Sequence, residues 1–185
     1  MAFSVPLSAA PLQAGTLPAL KTRHFSSAGP TARIYTMARL YLLHGDLMLD
    51  LCAFERTPAP ESYITFAAGG SRPHFFQLRL APQEALLSLC PQGRALALYG
   101  PPAGQALDAP VPARYAGSDE QGWYWAAGVR IPAAVLATAG IAVQGGAGFQ
   151  AALFKHQGNA VGASVPFADY SAPTFSQFGR FIFDA

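Results

Sequence analysis

Residues able to do chemistry are few in this chain and lie far apart. The ten carboxylates are spread thinly over 185 residues. Asp119 and Glu120 are adjacent, but neighbours on an extended chain point to opposite faces and cannot act together as acid and base. His24, His44, His74 and His156 show no metal-ligand spacing, and Cys52 and Cys90 sit in no CxxC or Cys/His pattern. No Gly-x-Ser-x-Gly segment marks a nucleophile. Neither an enzyme nor a metal site is expected, which leaves binding chemistry.

Phe75, Gln77 and Arg79 alternate along one run and share a face. An aromatic ring beside an amide and a guanidinium suits a sugar or an anionic ligand. The same stripe also reads as a solvated sheet face with an arginine stretched across it. Lys155, His156 and Gln157 end one strand-like run, within reach of a ligand or simply at a solvent-exposed strand end. Trp123 and Trp125 share a face with Ala127, Val129 and Ile131, as core residues would, although two indoles could also form a stacking surface. Tyr63, Tyr99, Tyr115 and Tyr124 are scattered; Tyr115 is best placed to supply an aromatic platform because it falls in a long loop. A more remote reading is haem held between Met37 or Met48 and His44 or His74.

Composition narrows the classes further. The chain is 51% hydrophobic and only 12% charged, with 18 Gly and 16 Pro, as expected for short strands joined by many turns in one domain. A net charge of +2 with no basic block leaves out nucleic acid as a partner. No apolar stretch is long enough to cross a bilayer. Residues 1–6 lack a basic n-region and a clear apolar segment, so a cytoplasmic protein is expected, or a secreted one if further residues precede them. Both cysteines are expected as buried free thiols.

The elements that must position these residues are strands. Residues 1–30 carry Pro6, Pro11, Pro18 and Pro30 and are expected to wrap the domain as edge segments. Residues 32–44 and 47–55 form a hairpin turning at Gly45-Asp46. Residues 62–68 and 74–80 flank the Gly69–Arg72 turn, and 84–89 with 94–99 form a further hairpin across Pro91–Gly93. Residues 100–121 read as a Pro/Gly/Ala-rich loop, and Pro132–Leu136 as one helical turn before Gly140. With strands at 148–156 and 178–183, roughly nine strands make a single β-sandwich, an all-β fold.

The order of these pieces carries a resemblance. Trp123 is followed by Val129-Arg-Ile-Pro132 and Leu136, then Gly148-Phe-Gln-Ala-Ala-Leu-Phe-Lys155, then Pro166, and finally Phe178-Gly179-Arg-Phe-Ile-Phe183. Upstream stand a strand ending in Glu55, the Glu61–Phe66 strand and the aromatic strand Phe75–Leu80. Over roughly residues 31–185 this resembles the family 9-like carbohydrate-binding modules, within the DOMON-like sandwiches. The resemblance implies a non-catalytic sandwich that holds sugar ends between aromatic rings, with polar residues on the hydroxyls and, in some members, structural calcium; no calcium site can be read from these residues. It places Lys155 at the family's ligand-side lysine. The chain departs from the family pattern at Thr65 (a carboxylate there), Arg79 (Glu), Ala152 (Asn) and Val165 (Trp). The expected function is thus sugar or polyol binding by Phe75, Gln77, Arg79, Lys155, His156 and Tyr115. The alternative is an interaction domain that contacts a protein partner or a second copy.

Overall fold

The computed structural model describes residues 2–26, 35–55, 62–98, 104–120, 122–158 and 160–184, with the backbone alone at residues 14 and 35. Nearly all regular structure is β. The first hairpin joins β4 (Tyr35–Leu43) to β5 (Asp46–Glu55), whose inward row Leu47, Leu49, Leu51 and Ala53 is buried while the intervening residues are half-exposed. Its turn lies at His44-Gly45, one residue earlier than expected, both residues having positive φ (51° and 89°) as a tight hairpin turn requires. Asp46 is drawn into the strand instead. Its carboxylate accepts the Ala133 N–H at 2.8 Å and pairs with Arg130, fixing the start of the one α-helix among the described residues, α1 (Ala133–Thr138).

Two sheets follow from the pairing. In sheet A, β14 (Gly179–Asp184), β12 (Gly148–Gln157), β6 (Ser62–Gly69), β7 (His74–Leu80), β8 (Ala85–Pro91) and β9 (Gln105–Leu107) lie side by side. In sheet B the order is β10 (Ala113–Asp119), β11 (Gly122–Ile131), β5 and β4. β1 (Phe3–Ser8) links them: Phe3–Pro6 run parallel to Phe181–Asp184, then Leu7 and Ser8 pair with Leu42 and Leu43. Pro6 therefore stands where the strand changes partner, and β1 joins the two sheets from between them. The short strands β2 (Leu20–Lys21), β3 (His24–Phe25) and β13 (Ala160–Ala163) pair with β4, β13 and β12.

Between the sheets lies the main core. It comprises the inward rows of β4, β5 and β11, including Trp125, Val129 and Ile131, against Ile64, Phe66, Phe76, Leu78, Leu153 and Phe181. Trp123 is half-buried and packs on the same core, so the alternation read along 123–131 describes a core strand. A second core covers the other face of sheet A, where Phe75, Ala152 and Phe154 meet Leu96, Leu98, Phe167, Phe175 and Phe178. Cys90 is buried, Cys52 half-buried, and both are free.

Two expectations need correction. Residues 94–98 do not form a hairpin with β8, because β8 is flanked by β7 and β9. They cross the outside of sheet A, held by the Ala95–Thr174 bridge and a Leu96 N–H to Pro173 O bond of 2.8 Å, so that Leu96 and Leu98 sink into the second core. Tyr99 lies outside the described residues. Residues 100–121 are not one loop, since they contain β9 and β10. β10 gives no sequence signal because it is exposed along nearly its whole length, so no alternation of apolar and polar residues marks it. No helix among the described residues is long and apolar enough to cross a membrane.

Candidate functional site

The six residues expected to form one site are divided by the fold among three places. Phe75, Gln77, Arg79 and His156 share the outer face of sheet A. That face is neither an open ligand surface nor a solvated one, since the four are only 0–5% exposed. Alternation shows which residues share a face, but not what lies over it; here residues 94–98 and the chain between Ala163 and Phe178 do. Phe75 stacks on Phe175 (5.7 Å between centroids, 12°) and meets Phe178 edge-on. The carbonyl oxygen of Ala97 accepts bonds from Gln77 Nε2 at 2.8 Å and Arg79 Nη2 at 2.9 Å. The Arg79 guanidinium also lies 5.5 Å from the centre of the Tyr63 ring, and burial lowers its pKa against the opposing pull of Tyr63 and Glu84. His156 Nε2 is 3.4 Å from Thr65 Oγ1. Burial, then the charges of Arg79 and Lys155, push its pKa down to about 3, so the imidazole is neutral.

Lys155 is one residue from His156 and points the opposite way, into the space between the sheets. Its position near the end of a strand suggests exposure, but its side chain is fully buried. Its Nζ contacts Glu55 Oε1 and Ser62 Oγ and lies 5.2 Å from the centre of the Trp125 ring, while Trp125 Nε1 donates to Glu55 Oε1 at 3.0 Å. Burial lowers the Lys155 pKa to about 8, with the Glu55 carboxylate opposing. Glu55 Oε2 has no hydrogen-bond partner among the described residues. Glu55 ends β5 in sheet B and Lys155 lies on β12 in sheet A, so the pair clasps the two sheets. The sequence carries the signal: each continues an inward row, Glu55 after Leu51 and Ala53, Lys155 after Ala151 and Leu153.

Tyr115 stands on the other side of the molecule. It lies in β10, not in a loop, and is 63% exposed. Its ring meets Tyr124 edge-on at 6.1 Å, and Tyr124 meets Phe54 at 6.3 Å and 42°. Opposed residues in the ladders put these rings on the outer face of sheet B, in a row across β10, β11 and β5. Gly117 makes room for this row, because a Cβ there would come within 2.6 Å of the Tyr124 hydroxyl. Farther along the same face Arg39 faces Asp50 across β4 and β5, with half-buried Cys52 and Met37 between them and the rings. Arg39 Nε is buried without a hydrogen-bond partner among the described residues. Burial raises the pKa values of Asp50 and Cys52, with Arg39 opposing both shifts. Sequence reasoning finds Tyr115 but misses Phe54, Asp50 and Arg39, whose common face emerges only once the strands are paired.

Other candidates stay apart. His44 occupies the exposed hairpin turn and His74 opens β7 in sheet A, whereas Met37 and Met48 lie on sheet B. Asp119 ends β10 and Glu120 enters the turn after it. No cluster of three or more His, Cys, Asp or Glu side chains occurs among the described residues.

In sequence, no family model matches this chain, and no curated protein does. In structure the likeness is extensive. A family 9 carbohydrate-binding module from Caldicellulosiruptor kristjanssonii in complex with glucose superposes with a TM-score of 0.62 at 8% identity, covering 100% of this chain and 96% of the module. The complex of a family 9 module from the same organism with cellotriose gives 0.61 at 9% identity, covering 100% and 94%. A Bacteroides uniformis protein solved as a candidate carbohydrate-binding protein gives 0.62 at 10%, covering 99% of each chain. These superpositions over the whole length show the fold: the chain has the fold of the family 9 carbohydrate-binding modules.

Proposed function

We propose that this protein is a non-catalytic module that binds a neutral oligosaccharide on the outer face of sheet B. The observation carrying the proposal is the row Phe54–Tyr124–Tyr115, three rings packed in series that climb from half-buried to 63% exposed. Sugar rings offer C–H faces to aromatic planes, and their hydroxyls seek carboxylates and guanidinium groups. The Arg39–Asp50 pair offers both, four residues along β5 from Phe54, or roughly 13 Å away at the usual strand rise. One sugar ring does not reach that far, whereas a short chain does. The structural neighbours solved with glucose and with cellotriose support a sugar as the ligand class. Gln77 and Arg79 are already engaged by Ala97 and serve the fold in this reading.

Calorimetry with glucose and with cello-oligosaccharides of increasing length, backed by a glycan array, tests the proposal. Affinity should rise with chain length. Tyr124→Ala and Tyr115→Ala should each weaken binding about tenfold. No binding to any glycan, or binding that survives both substitutions together, would overturn it.

A further inference from the structure

β10 is the outermost strand of sheet B, and among the described residues nothing pairs with its far edge. It runs for seven residues, Ala113–Asp119, in unbroken register with β11, and every residue except Gly117 is exposed. An antiparallel strand paired on one side only leaves alternate N–H and C=O groups pointing outward along the other. Proteins usually protect such an edge with charged side chains, above all lysine, or with proline, a bulge or a covering segment. The sequence Ala-Arg-Tyr-Ala-Gly-Ser-Asp contains no proline and no lysine, its two charges, Arg114 and Asp119, are of opposite sign, and its ladder has no bulge.

We propose that β10 pairs antiparallel with β10 of a second copy of this chain, around a twofold axis through Gly117. An axis perpendicular to the sheet keeps like faces together, so opposed residues must have the same parity. Centred on Gly117, the pairing brings Arg114 of each copy alongside Glu120 of the other, the first turn residue after β10. Both residues are exposed, and their long side chains of opposite charge can meet just beyond the end of the ladder, a contact that stabilises the pairing modestly. Centred on Ala116, Arg114 would instead face Ser118 and no charged pair would form. The Gly117 register also places no side chain at the axis, leaving space for the Tyr124 hydroxyl that lies over that glycine. The contact is isologous, as closed dimers require. One strand pair buries less than the roughly 1,000 Å² expected of a stable interface, so the dimer forms in a concentration-dependent way.

The pairing does not depend on sugar binding. If the outer face of sheet B does bind a glycan, the dimer joins two aromatic rows, Phe54–Tyr124–Tyr115 and its symmetry mate, into one platform.

Sedimentation equilibrium from micromolar to near-millimolar protein, at low salt and without sugar, is the test. The average mass should climb toward twice that of the chain. Arg114→Glu should weaken association about tenfold, and adding Glu120→Arg in the same chain should restore it. Monomer mass throughout, or dimerisation unaffected by Arg114→Glu, overturns the proposal; failure of the double exchange to restore the dimer overturns the Gly117 register. Circular dichroism of each variant confirms that these exposed substitutions leave the fold intact.

Discussion

Sheets A and B are built from similar strands yet handle their outer faces in opposite ways. In β7 six consecutive residues after His74 are buried, because one face meets the other sheet and the second lies under residues 94–98 and 163–178. In β5 burial alternates, because only one face is covered. A polar side chain on the covered face must find its partner inside the protein, and Gln77, Arg79 and Thr65 do. Aromatic side chains on the open face have no such demand and remain available to a ligand. Identical alternation thus produces a structural polar stripe in one sheet and a candidate binding surface in the other.

That contrast is open to experiment, and the largest effect is expected at the clasp between the sheets. Lys155→Ala leaves the Glu55 carboxylate buried without its cation and should cost about 3–5 kcal/mol in urea unfolding. Replacing both, as Lys155→Met with Glu55→Leu, should come much closer to neutral, since paired burial of charge adds little net stability. Phe75→Ala empties a stacked position in the second core and should also cost about 3–5 kcal/mol.

Acid should act through the covered face of sheet A. His156 has a pKa of about 3 when folded and near its ordinary 6.5 when unfolded. Between those values the unfolded chain binds a proton that the folded protein refuses, so stability falls as pH drops from 6.5 toward 3. The loss should reach about 3 kcal/mol by pH 4. Comparing unfolding curves at pH 7 and pH 4 for the native protein and His156→Asn checks this, since the variant should lack that share of the pH dependence. The smallest effect belongs to the open face. Tyr115→Ala should change stability by less than about 0.5 kcal/mol, as exposed substitutions do, while removing part of the proposed sugar platform. If Tyr115→Ala proved as costly as Phe75→Ala, the distinction between the two faces would fail.

Much of this architecture is legible in the order of residues. The alternation along 47–55, 74–80 and 123–131 marks strands, the Pro132–Gly140 punctuation marks the helix, and the ordered landmarks from Trp123 to Phe183 point to the right fold. The site is only partly legible. Tyr115 stands out in the sequence, but as a loop residue rather than one on an edge strand, because an exposed strand carries no apolar period. Lys155 reads as a solvent-exposed residue although its row runs inward, since a buried lysine needs a partner and Glu55 lies 100 residues away in the chain.

The two-residue period of a strand is a local property of the backbone, so most strands, and the side chains that share a face of each, can be read from the chain alone. What covers each face is a different matter, settled by contacts between distant segments. The residues that bury Gln77 and Arg79 come from remote parts of the chain, and the row joining Tyr115, Tyr124 and Phe54 exists only after three strands have been laid side by side.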